Sequence, residues 1–81
     1  MEWIDELAEA LGEQPLSTEQ TTRLLSSARA VAHRVERRVT PLAAFLLGAA
    51  VGRRAAGERD LALDDALRTL EARLPGAASE P

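Results

Sequence analysis

A chain of 81 residues and 8.7 kDa holds one small domain, and its 46% apolar content is that of a globular rather than a disordered protein. The apolar set is sixteen Ala and thirteen Leu with one Phe, one Trp, one Ile and no Tyr, which favours helices over sheets, since strands draw on β-branched and aromatic residues. The absence of Cys excludes disulfides, zinc knuckles, iron–sulfur centres and a thiol nucleophile, and the net charge of −3 hides three blocks of alternating sign.

Those blocks follow the chain. Residues 1–19 carry six acids and no base, residues 20–59 carry eight arginines against Glu36 and Glu58, and residues 60–81 return to acid. Every base is Arg, whose planar fork suits carboxylates and phosphates. The acidic N-terminus is unlike a basic secretory signal, so a cytoplasmic protein is expected.

The first predicted helix spans Glu2 to Leu11. Trp3, Ile4, Leu7, Ala8 and Leu11 fall on one face, with Glu2, Asp5, Glu6 and Glu9 away from it. The acids suit the positive end of the helix dipole, and Gly12 with Pro15 beyond it closes the element.

The second begins at Ser17, where Ser17 and Gln20 have capping-box spacing, and extends to about Arg38. Its expected buried stripe is Leu24, Ala28, Val31, Ala32 and Val35. Arg23, Arg34, Arg37 and Arg38 form a basic ridge opposite.

Thr40 as N-cap and Pro41 at the first helical position open the third helix, expected over about 40–56. Leu42 to Val51 has no polar side chain, yet ten residues fall well short of the ~20 that span a bilayer. An all-apolar helix is expected at the centre of a fold. Leu42, Phe45 and Leu46 cluster on one side. Ala44, Gly48, Gly52 and Ala55 make a small-residue stripe on another. Two glycines cost about 1 kcal/mol each against Ala, which close approach of another backbone would offset.

The fourth helix runs from near Asp60 to just before Pro75, with a leucine seam of Leu63, Leu67, Leu70 and Leu74 and an Asp64–Arg68 pair at i,i+4. The reading is an all-α, four-helix domain over 1–76 with a disordered tail at 77–81. One core this small supplies about 3–5 kcal/mol, and oligomerisation is a common remedy. A homodimer or higher oligomeric bundle is therefore expected, with Phe45, Gly48, Gly52, Leu63, Leu67 and Leu70 as candidate self-association residues.

Chemistry is thinly represented. His33, the sole histidine, lies between Arg29 and Arg37 at i±4 with Glu36 at i+3. It reads either as a contact in a binding surface or as a plain surface residue, with no nucleophile placed to make a triad. His33, Arg34, Arg37 and Arg38 are the candidate ligand or partner contacts, for an anion such as a phosphate or nucleotide or for an acidic partner. Alternatively, the arginines pair with the acids of the first and fourth helices. A pI near 5.1 and no aromatic stacking platform argue against nucleic acid, and the ligands for a metal are missing. No cofactor and no enzymatic activity are expected.

The stretch Leu25-Ser-Ser-Ala-Arg-Ala-Val-Ala-His33-Arg-Val-Glu-Arg-Arg-Val-Thr-Pro41-Leu-Ala-Ala-Phe-Leu-Leu-Gly48, with Trp3 before it, resembles a small helical domain of unknown function from GC-rich Gram-positive bacteria. That domain occurs alone or joined to the nucleotidyltransferase that makes molybdopterin guanine dinucleotide. The family shows Arg-Pro-x-Ala-Pro before the third helix where this chain has Arg37-Arg-Val-Thr-Pro41. The resemblance implies a non-enzymatic accessory role in molybdenum cofactor biosynthesis, with that nucleotidyltransferase as a partner. It transfers no catalytic residue.

Overall fold

The computed structural model describes residues 2–54 and 56–75; the expected tail at 77–81 lies outside them, as does Ala55 of the small-residue stripe. Four helices follow one another: α1 (Glu2–Ala10), α2 (Thr18–Arg34), α3 (Thr40–Gly52) and α4 (Arg59–Arg73). Short 3-10 turns at Arg37–Val39 and Ala56–Glu58 lead into α3 and α4. The fold is all-α, with no strand among the described residues.

Local chemistry sets most boundaries. Gly12 takes φ +76 behind α1, a conformation that costs a side chain but not glycine. Ser17 caps α2 through a full capping box. The Gln20 amide N–H donates to its hydroxyl at 3.0 Å, and the Ser17 N–H donates to Gln20 Oε1 at 2.9 Å.

α2 stops at Arg34, four residues short of expectation. The Val31 carbonyl accepts from both the Val35 and Glu36 N–H groups, and Glu36 is extended (φ −161, ψ 140). A continuous helix would drive the Pro41 ring into the Arg37 carbonyl and align Arg34 with Arg38 as like charges. Arg37 and Arg38 therefore sit on the 3-10 turn and are not part of an α2 ridge. That turn runs straight into α3. Val39 holds the cap position, and Thr40 is already helical (φ −56, ψ −50), its hydroxyl buried without a partner instead of capping. The far end of α3 comes at Gly52, not near residue 56, because the chain turns through Arg53 and Arg54.

The core is small: Val31 of α2 with Ala62, Leu63 and Leu67 of α4, and Ser27 buried among them. α2 and α4 run parallel, joined by a polar row along their edges. Gln20 Nε2 donates to Asp60 at 2.8 Å, and Arg23 reaches Asp64 at 2.6 Å and Glu71 at 3.7 Å. The hydrogen bond to Asp64 raises Arg23 above the ordinary arginine pKa. The α2 face turned inward is therefore Gln20, Arg23, Ser27 and Val31. Of the expected stripe, Val31 is buried and Leu24, Ala28 and Ala32 are half-buried, while Val35 at its end is 52% exposed, so the inward face is turned from it only in part. Arg23 leaves the basic ridge for the same reason.

α3 packs chiefly on α4 and less on α2, and α1 makes no substantial contact with any other helix. The expectation of a central apolar helix is corrected here. None of the residues of α3 is buried, because helices cover it on one side only.

Candidate interaction surface

Three faces of α3 have three different surroundings. At 100° per residue, Ala43, Leu47 and Ala50 share the face toward the bundle and are half-buried. Ala44, Gly48 and Gly52 share a second. With Leu47 and Val51 they form one wall of an open apolar groove of about 880 Å³, whose other wall is Ile4, Leu7, Ala8 and Leu11 of α1. A Cβ built on Gly48 or Gly52 meets nothing within 4 Å. The close backbone approach expected at this stripe is thus not made within the chain.

The third face looks outward. Leu42 is 62% exposed, Phe45 75% and Leu46 67%, and Ala49 beside them is exposed too. Continuing the same helical line leads to Arg38 before α3 and Arg53 after it, so a cation brackets the apolar strip at each end. The positions 38, 42, 45, 46, 49 and 53 carry this pattern in the sequence. It is hidden when Arg38 is assigned to the preceding helix.

The other candidate residues fall in different places. His33 and Arg34 are exposed at the end of α2, and Arg37 and Arg38 are exposed on the turn that follows. Among the described residues His33, Arg34, Arg37 and Arg53 take part in no ion pair, and Arg38 has only the exposed Glu36 at 3.3 Å. Leu67, 1% exposed, packs the chain's own interior, Leu63, 8% exposed, packs there too while lining the base of the groove, and Leu70 is half-buried.

The acids divide into two groups. Those of α4 are engaged. Besides the contacts of Arg23, Asp64 meets Arg68 at 2.9 Å, and Asp65 meets Arg54 at 3.3 Å. Arg54 also bonds Glu58 at 3.2 Å, the main cause of its raised pKa. Glu2, Asp5, Glu6 and Glu9 of α1 are exposed and join no ion pair among the described residues; only Glu13, beyond the helix, approaches Arg59, at 3.7 Å. The pairing of arginines with α4 acids is therefore made for Arg23, Arg54 and Arg68, and the acids of α1 are left over.

Among the described residues no group of three or more His, Asp or Glu comes together as a cation would require, and no helix is long and apolar enough to cross a membrane. The surface instead offers an apolar strip with basic ends and an apolar groove beside it. A family model described as a domain of unknown function (DUF6457) matches residues 1–81. No curated protein and no solved structure matches the chain.

Proposed function

Because the chain belongs to that family of domains of unknown function, its role has to be read from its own surface, and we propose that it is a non-enzymatic, self-associating helical interaction domain. The observation that carries this reading is Phe45, the sole Phe of the chain, 75% exposed between Leu42 and Leu46 on a helix without one polar side chain from Leu42 to Val51. Fully covering a Leu or Phe side chain gains about 1.5–3 kcal/mol. Three of them supply on the order of 5 kcal/mol, a large part of the ~8 kcal/mol of a micromolar complex.

Sedimentation velocity over a micromolar concentration series tests it. The wild type is expected to sediment faster as concentration rises, and Phe45→Glu to stay monomeric with unchanged far-ultraviolet dichroism. A wild type that remains monomeric at several hundred micromolar overturns the reading.

The resemblance to domains joined to the molybdopterin guanine dinucleotide nucleotidyltransferase suggests that enzyme as the protein this domain supports. Purified together, the two are expected to co-elute in size-exclusion chromatography. Separate elution at micromolar concentrations removes this partner and leaves the self-association reading untouched.

A further inference from the structure

This inference rests on the self-association reading and names the element of the second copy that covers α3. The outer strip Leu42–Phe45–Leu46 ends in Arg38 on one side and Arg53 on the other, about 22 Å apart along a helical path. A second α3 laid on it antiparallel sets Arg38 of one copy beside Arg53 of the other, and a parallel one stacks like on like. Both arrangements bring cations together as the apolar area is covered, which is costly at an interface. The surface fits a helix with an apolar stripe and acidic flanks.

The chain carries such a helix. α1 has four acids and no base, and none of the four has an ionic partner among the described residues. Trp3 and Leu11 are each 67% exposed, and α1 makes no substantial contact with another helix. Asp5 and Glu6 lie on either side of its apolar face, so carboxylates accompany that face wherever it docks. Residues 11–17, with Gly12 at φ +76, tether α1 to Thr18 with a reach of about 24 Å when extended. We infer that α1 of a second copy docks along the outer face of α3, reciprocally, so that each copy's acidic helix covers the other's arginine-bracketed strip. Two patches exposed in one chain, the Trp3–Leu11 edge of α1 and the Leu42–Leu46 strip, are covered by the same contact, and the unpaired acids come near Arg53, which has no ion pair among the described residues, and Arg38, held only by the exposed Glu36.

Charge reversal in two separate chains tests this, again by sedimentation velocity. One chain carries Asp5→Arg and Glu6→Arg, the other Arg38→Glu and Arg53→Glu. Each alone is expected to associate about tenfold more weakly than wild type or worse, because both of its contacts pair like charges. Their equimolar mixture is expected to recover wild-type affinity as a heterodimer, since both of its contacts then pair opposite charges. Recovery excludes misfolding as the cause of the losses. If the Asp5/Glu6 chain associates as tightly as wild type while Phe45→Glu does not associate, the inference is overturned and the self-association reading stands. If both chains weaken, remain helical and fail to recover on mixing, reciprocal exchange is overturned. A monomeric wild type removes both.

Discussion

Leu67 and Phe45 are both large apolar residues on helices, and their surroundings assign them opposite work. Leu67, 1% exposed, is the one large side chain fully enclosed among the described residues. Leu67→Ala should cost about 2–5 kcal/mol. That is comparable with the whole stability expected of so small a core, so thermal melts should show the variant largely unfolded at 37 °C. Phe45→Ala, measured in dilute solution, should leave the melting temperature within a degree or two, since its ring touches little of its own chain. Residue-scale rules are the ones the sequence displays most openly. The Ser17–Gln20 box, the Gly12 turn and the Asp64–Arg68 pair are settled by residues within four positions of one another. Leu63 and Leu67, expected at an association surface, fill the core instead, because periodicity shows that a seam exists without showing what covers it.

Helices fix which neighbours meet, and this is where pattern reading goes astray. The apolar stripe of α2 is weak, two of its five residues being Ala, and the carboxylates of α4 help to set its rotation. Asp60 and Asp64 draw Gln20 and Arg23 inward, and Leu25 and Val35 are left exposed. A double-mutant cycle on Arg23→Met and Asp64→Asn should give a small but measurable favourable coupling, that of a pair that stays partly solvated. A coupling near zero would mean that the rotation has another cause. The end of α2 was equally hard to foresee: the obstacle to continuing past Arg34 is Pro41, seven residues ahead. On α3, the open space beside Gly48 and Gly52 makes a clear expectation. Gly48→Ala should stabilise the single chain by about 0.5–1 kcal/mol, as helix propensity alone dictates, and Gly52→Ala, at the last residue of the helix, by less. Urea titrations would show the gain as a higher midpoint with an unchanged slope.

At the scale of the molecule, the composition foretells the outcome better than the periodicity does. A chain rich in Ala and poor in aromatics closes only a small core, and its most apolar helix remains open on two of three faces. If a second copy covers α3, folding and association are linked. The melting temperature should then rise with protein concentration, and fall again when salt screens α1 from the arginines. A melting temperature identical across a hundredfold dilution would show that the isolated chain accounts for all the stability.

The succession of α2, α3 and α4, each packed on the next through connections of a few residues, also bears on time. Most contacts in such a topology are local, the α2–α4 pairing being the exception, and helical domains of this kind reach their native arrangement within microseconds to milliseconds. α1 takes no part in that race. Stopped-flow refolding should accordingly resolve a rapid first-order phase, indifferent to dilution, followed by a bimolecular one in which the lone tryptophan reports the encounter.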